Sequence, residues 1–403
     1  MRRTLTITAI VILLAGIGTA TYFYFFAPSA RLAVGPKTGT DNTAGLPVAG
    51  QGTLPGEAST TTAVQAPSPV PISARLVEIS AGPVVPGEAV VDISAQNASS
   101  SPDVGVSYIE RQSGNVFSYL VQAGTLTRIS NRTIPGIEEA SWLPDASLAF
   151  VRYLSGSDFS TVNTYGLPSD GSSGFFLPQD LADVSVSSTS VLALASGVNG
   201  SSASLMHTDG TGSSVVFTTP LAALRVSFAG KGHYLAFTKP SATLPGDAFI
   251  VDGAGHFSRI AGPLNGLVAL ASPSGEWVLV SYTLPKGMQT ELVNATTGET
   301  IQLPIATIAD KCTWTTDSSM IYCGVPMSPP ETYAYPDDWY QGAVHFSDRI
   351  WKINVSGRYA QLVLDFSKET NTPLDAEALS IDPANSVLAF FNKNDGSLWA
   401  YKL

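Results

Sequence analysis

Charge is the scarcest property of this 403-residue chain. Asp, Glu, Lys and Arg make up 13% of it, about half the share usual in soluble proteins. What charge there is leans acidic, with a formal net charge of −11. A nucleic-acid binder needs a basic footprint to displace phosphate counterions, so that class is excluded. Histidine is sparse as well. His207, His233, His256 and His345 form no HxxxH, HExxH or Cys/His spacing, so no metal site is expected. No cofactor is expected either: Gly-rich stretches such as Gly171-SSG are turns between strands, not the strand-to-helix junctions that cradle phosphates. There is no G-x-S-x-G elbow. Asp310, Glu331, Asp337, Asp338 and Glu377 offer carboxylates for glycoside chemistry, but their spacing selects no pair. No catalytic residue is assigned.

The longest uncharged apolar run lies at the N-terminus. Arg2 and Arg3 precede Leu5 to Phe26, which includes ITAIVILLAGIGTA and then TYFYFF. A bilayer core needs about 20 such residues. The two arginines keep the short end in the cytoplasm, and the aromatic cluster suits the far interface. Residues 1–30 are therefore read as a single transmembrane anchor in the cytoplasmic membrane. The alternative is a secreted protein cleaved near Ala30, although the run is long for a signal peptide. Both readings place the rest of the chain outside the cytoplasm. Residues 31–71, rich in Gly, Pro, Ser, Thr and Ala, bury too little apolar surface to offset the entropy of ordering, and read as a flexible linker.

Beyond residue 130 one line keeps returning: an apolar strand, a Pro/Asp/Gly/Ser turn, and a second apolar strand. It reads Trp142-LPDASLAF-Val151, Val186-SSTSVLAL-Ala195, Phe228-AGKGHYLAF-Thr238, Ala271-SPSGEWVLV-Ser281, Trp314-TTDSSMIY-Cys323 and Ile381-DPANSVLAF-Phe391. Copies about 40 to 70 residues apart predict radially repeated four-stranded sheets, an all-β propeller over residues 72–403. The blades are expected at 81–132, 136–178, 180–219, 221–262, 263–305, 307–367 and 374–403. The last holds only three strands. Ala74-RLVEIS-Ala81 has no other place, so it is expected to close the ring as that blade's outer strand. The count is then seven, with six as the alternative. The near-continuous apolar runs are read as inner strands packed on both faces, and runs such as Asn115-VFSYLV as alternating outer strands.

The only two cysteines, Cys312 and Cys323, flank the Trp314-TTDSS turn symmetrically. Centring the turn between Asp317 and Ser318 sets them opposite each other, so a cross-strand disulfide is expected in an oxidising compartment. The same blade carries an insertion, Val325-PMSPPETYAYPDDWYQGAVHFSD-Arg349. It gathers Tyr333, Tyr335, Trp339 and Tyr340 around Asp337 and Asp338. Two expectations follow. The insertion folds back as a cap with Trp339 as a plug, or these six residues form a binding loop for a protein or polysaccharide.

The Trp142-LPDASLAF and Trp314-TTDSSMIY lines, with Ser-Pro-Ser-Gly at 272–275, resemble the W-S-P-D-G lines of TolB-type and WD40-like propellers. The Gly-His and Trp-Asp pairing of strict WD40 repeats is missing. The resemblance implies a bacterial exported propeller acting as an interaction scaffold. Sequence and resemblance together favour a non-catalytic, membrane-tethered scaffold that binds a protein or an envelope polymer. The alternatives are a hydrolase or lyase working at the axial mouth, and a purely structural surface component.

Overall fold

The repeated turn builds the same hairpin in blade after blade. In the computed structural model, which describes residues 68–94 and 102–403, Asp145 Oδ1 accepts from Ser147 N at 3.0 Å and Asp317 Oδ1 from Ser319 N at 3.0 Å. Except in blade 3, the residue closing the turn is left-handed: Ala146 at φ 57°, Gly232 at 73°, Gly275 at 76°, Ser318 at 62° and Asn385 at 58°. Gly is suited to that conformation and Asn tolerates it. Ala146 and Ser318 adopt it under the constraint of the pairing on either side.

Seven sheets result. Their first strands are Ala89–Ile93 in blade 1, Ile137–Trp142 in blade 2, Leu181–Val186 in blade 3 and Leu224–Phe228 in blade 4. Val268–Ala271 opens blade 5, Cys312–Trp314 blade 6 and Ala376–Ile381 blade 7. First strands touch their neighbours from blade 2 through blade 5 and from blade 6 through blade 7 to blade 1, which sets them around the axis. The expected closure is present. Leu76–Ser80 pairs antiparallel with Leu398–Lys402, with Leu76 opposite Tyr401. Val70–Pro71 adds a fifth strand outside it. At this seam Gly82 has φ 79°, and a Cβ there would lie 2.4 Å from Gly396 O. Only glycine lets the two chain ends approach so closely.

Three details differ from expectation. The apolar runs after the turns, such as Leu148–Phe150 and Val387–Phe391, are second strands; the strands on the axis lie before the turns and are more polar. The alternating Val116–Leu120 is the third strand of blade 1, and the outer one is Thr125–Arg128. Blade 4 runs past residue 262, because its bulged edge strand Phe257–Asn265 carries Pro263 where no further strand needs its N–H.

Tryptophans stitch blades together. Trp142 Nε1 donates to Gly87 O at 3.0 Å, and Trp314 Nε1 donates to Leu270 O at 3.2 Å, each across a blade boundary. Cys312 and Cys323 are register partners and form the disulfide. Among the described residues, helix is confined to the one-turn segments Asp337–Tyr340 and Phe366–Glu369 and a 3-10 turn at Ala309–Lys311. None of these is long and apolar enough to cross a membrane. The anchor expected at 1–30 and most of the linker at 31–71 lie outside the described residues.

Candidate functional site: the axial mouth and the blade 6 insertion

A charged ring lies where the first strands begin. Blade 1 brings Glu88, blade 2 Glu139, blade 3 Asp183, blade 4 Arg225, blade 6 Asp310 and blade 7 Glu377. Several stand at irregularities in the ladder, between Ile137 and Glu139, between Leu181 and Asp183, and between Glu377 and Ser380. A bulge re-aims a side chain that strict alternation would point elsewhere. Blade 5 breaks the ring with Val268, which joins the core cluster that includes Tyr335 and Trp339.

Each cation at the mouth is already committed. Arg225 Nη1 sits 2.6 Å from Asp310 Oδ2, which also accepts from Tyr340 OH at 2.6 Å. Lys393 Nζ lies 3.1 Å from Glu377 Oε2. Arg152 Nη1 lies 3.3 Å from Glu139 Oε2 and its Nη2 donates to Leu181 O at 2.8 Å. Asp183 has no such short ion pair; its Oδ2 accepts from Val226 N at 2.8 Å.

Burial raises the acids Asp183, Glu377 and Glu88. It raises Asp183 against the pull of Arg225, and it raises Glu377 against the pull of Lys393. It pushes the Tyr340 hydroxyl well up, helped by the Asp310 carboxylate. Burial works to lower Arg225, but Asp310 and Tyr340 outweigh it and the guanidinium is stabilised. Glu88 is the extreme case. Both of its carboxyl oxygens are buried without a partner, and burial, reinforced by Glu377, raises it well above 4.5.

That shift makes a prediction. The unfolded chain ionises Glu88 from about pH 4.5 upward, while the folded chain keeps it neutral. Stability is therefore full below that value and falls as pH rises toward the native pKa. Glu88→Gln removes the dependence. Its melting temperature should match the parent at pH about 4 and exceed it at neutral pH. A difference in melting temperature that stays constant with pH, read by calorimetry, would refute the buried neutral acid.

The insertion folds onto the same end. Thr283 Oγ1 of blade 5 donates to Tyr335 O at 2.7 Å, and Ala242 N of blade 4 donates to Asp337 Oδ1 at 3.1 Å. Gly266 permits the approach: a Cβ there would meet Thr283 Oγ1 at 2.4 Å and Tyr335 O at 2.8 Å. Asp338 Oδ2 accepts from Ala334 N at 2.7 Å and organises the turn. Trp339 is 0% exposed, stacked on Phe346 and donating through Nε1 to Asp375 Oδ2 at 3.0 Å. Tyr335 is also buried, while Asp337, Asp338 and Tyr340 are half-buried. Tyr333 is the member of the six that stands exposed. The insertion thus covers its tryptophan, and through Tyr340 it supplies one wall of the mouth.

Of the carboxylates considered for glycoside chemistry, Asp310 and Glu377 meet at the ring; Asp337 and Asp338 hold the insertion and Glu331 is exposed. The ring itself escaped sequence reasoning. A partial signal exists in hindsight, in a column three residues before the last strand residue of blades 2, 3 and 4: Glu139-Ala-Ser-Trp, Asp183-Val-Ser-Val and Arg225-Val-Ser-Phe; in blade 6 that place holds Lys311, and the ring residue is Asp310 just before it. Among the described residues, no group of three or more His, Cys, Asp or Glu is arranged to hold a metal ion.

No family model matches the sequence, and no curated protein does. Solved structures do match in shape. An oligogalacturonate lyase in complex with manganese aligns with TM-score 0.51 at 10% identity, over 79% of this chain and 98% of that one. The β-propeller domain of the Trilobed protease from Pyrococcus furiosus, described as having an open velcro topology, aligns with TM-score 0.50 at 8% identity, over 79% and 95%. A chain of a mitotic checkpoint complex aligns with TM-score 0.50 at 11% identity, over 82% and 94%. At such identities the likeness is one of fold: this is a seven-bladed β-propeller related in shape to propellers of lyases and proteases, a scaffold that by itself specifies no activity.

Proposed function

We propose that this protein is a non-catalytic binding scaffold whose axial mouth receives a cationic segment of a protein or an envelope polymer. The observation that carries this reading is the balance of the ring. Four carboxylates, Glu139, Asp183, Asp310 and Glu377, with the neutral acid Glu88 beside them, face three cations, Arg152, Arg225 and Lys393, each of which is already paired. A low-dielectric mouth with excess negative charge focuses its field and steers cations toward it. The acidic net charge of the whole chain adds to that field. Tyr333, exposed on the insertion beside the mouth, is the aromatic contact such a partner would find. The test is titration calorimetry of the full chain with a lysine oligopeptide. Binding should weaken with salt and fall by about tenfold in Glu139→Lys, an exposed position that leaves the fold intact. Equal affinity for parent and variant, or no binding at low salt, rejects the mouth as the site.

The proposal includes the address. A TolB-type or WD40-like exported propeller on an anchor at 1–30 holds its body outside the cytoplasm on the 31–71 linker. Protease added to intact cells should cut that linker and release the body intact. Survival of the full chain until lysis argues against surface exposure.

One observation favours a second reading, a hydrolase or lyase at the same mouth. Glu88, Asp183 and Glu377 are all raised by burial, and shifted acids cluster at catalytic sites. Shortening of an envelope polysaccharide by the parent protein, lost in both Glu88→Gln and Asp183→Asn, would establish it; intact polymer under the parent protein rejects it.

A further inference from the structure

Beneath the insertion, three ionisable side chains share one dry chamber. Lys311, Asp348 and Asp375 are each 0% exposed. Lys311 ends the 3-10 turn ahead of blade 6's first strand. Asp348 opens the third strand of that blade, directly after the insertion, and Asp375 precedes the first strand of blade 7. Lys311 Nζ is 2.8 Å from Asp348 Oδ2 and also contacts Asp375 Oδ1. Trp339 and Phe346 wall the chamber, with ring centroids 4.9 and 5.2 Å from Nζ.

The donors around Asp375 are unequal. Its Oδ2 accepts from Phe346 N at 2.9 Å and from Trp339 Nε1 at 3.0 Å, the nearer arm of a shared N–H whose other arm reaches Oδ1 at 3.3 Å, while Oδ1 faces the lysine. One oxygen held by two N–H donors, with an amine beside the other, is the geometry that stabilises a tetrahedral oxyanion on a carbonyl carbon. Asp348 is differently placed. Its Oδ2 accepts from Ala376 N at 2.7 Å, but its Oδ1 is buried with no partner. That leaves a free oxygen to take up a proton.

We propose that Lys311 and Asp375 condense into an amide, cross-linking blade 6 to blade 7, with Asp348 carrying the protons. At rest Lys311 is an ammonium: burial favours the neutral amine, but the two carboxylates outweigh it and raise its pKa. It must therefore give up a proton to react. Burial pushes Asp348 up to about 6 against the pull of Lys311, which suits it to accept and return protons near neutrality. Asp348 passes the proton it takes from the ammonium on to Oδ1 of Asp375, and the freed amine, desolvated among aromatic rings, attacks Cγ of the carboxyl so neutralised. The N–C bond forms while the charge collects on Oδ2, under Trp339 Nε1–H and Phe346 N–H. The bond from Cγ to Oδ1 then breaks. Of the three ammonium protons, one stays on the amide nitrogen and two leave with Oδ1 as water, relayed by Asp348. The ammonium and one carboxylate vanish together, no oxidant or other reactant is needed, and the chamber is left with a single charge.

The experiment is mass spectrometry of the full chain, purified in detergent, denatured and reduced. The parent should weigh one water less than its sequence. Trypsin should fail to cut after Lys311, and peptide 287–349 should emerge joined to peptide 369–393. Asp375→Asn should form the same link with loss of ammonia in place of water, a distinction that damage elsewhere in the chain would not reproduce. Asp348→Asn, shown to be folded by circular dichroism, should lose the link. An unmodified parent mass with free cleavage after Lys311 overturns the cross-link. An undiminished link in Asp348→Asn overturns the role of Asp348.

Discussion

A chain that begins at residue 82 should fail to fold, while one that begins at residue 68 should melt like the full-length protein. The difference between them is the strand Leu76–Ser80. Leu76 and Ile79 are 0% exposed and Val77 is 7% exposed. Burying three such side chains contributes roughly 5–9 kcal/mol, comparable to the whole stability of an ordinary domain, about 5–15 kcal/mol. The loss reaches further than the missing side chains. Leu398–Lys402 becomes an open edge with unpaired N–H and C=O groups, a template for aggregation. Arg75 adds to the closure, donating through Nε to Lys402 O at 2.7 Å and lying over the Tyr401 ring. A synthetic peptide of residues 68–81 should restore a cooperative melt to the shortened chain by adding a strand to that edge. If the chain from residue 82 melts cooperatively within a few degrees of the chain from residue 68, the strand is an ornament and the closure reading is wrong.

This strand also shows what the sequence displays and what it hides. Closure was legible because it is a deficit. Blade 7 shows three strands where the other blades show four, and Ala74-RLVEIS-Ala81 resembles the outer strands elsewhere. The disulfide was legible because a hairpin has mirror symmetry about its turn, so Cys312 and Cys323 fall opposite each other without knowledge of the rest of the fold. The assignment of inner strands was not legible. Second strands are packed between blades on both faces and read as continuous apolar runs, while the axial strands carry polar groups toward the mouth.

The charged ring was hidden for two physical reasons. Each blade gives it about one residue, and neighbours on the ring are some 40 or more residues apart in the chain, so no local window contains a motif. The column is also chemically mixed. Glu139, Asp183 and Arg225 occupy the same place in the repeat while blade 6 offers its ring residue, Asp310, one position earlier, and no single residue type marks it. Bulges then shift register at Glu139, Asp183 and Glu377, so that strict alternation assigns these side chains to the wrong face. The insertion lies between the two extremes. Its aromatic content announces a folded segment, but whether Trp339 faces solvent or Asp375 depends on a partner some 36 residues away.

Trp339→Ala should cost about 3–5 kcal/mol, the range for deleting a large buried aromatic side chain. The position is 0% exposed, and its ring stacks on Phe346, lies 4.4 Å from Lys393 Nζ and 4.9 Å from Lys311 Nζ. The ring therefore screens two cations from the core and donates to a carboxylate at once. Trp339→Phe separates these roles. It keeps most of the stack and loses only the N–H to Asp375, a hydrogen bond worth about 0.5–3 kcal/mol. Denaturant melts should rank parent, then Trp339→Phe, then Trp339→Ala, with the slope unchanged for Phe. Hydrogen exchange locates the damage. If the insertion is an integral cap, amides of Asp338, Trp339 and Tyr340, bonded to Ala334 and Pro336 carbonyls, should exchange faster in Trp339→Ala by more than the global loss of stability accounts for, while those of Val387–Asn392 should still exchange only through global unfolding. Tyr340 would leave its place on Asp310 in the same opening, so the mouth loses a wall without any change to the ring of carboxylates. A cost below about 1 kcal/mol for Trp339→Ala is incompatible with that burial, and would mean that the insertion leaves the propeller face in solution.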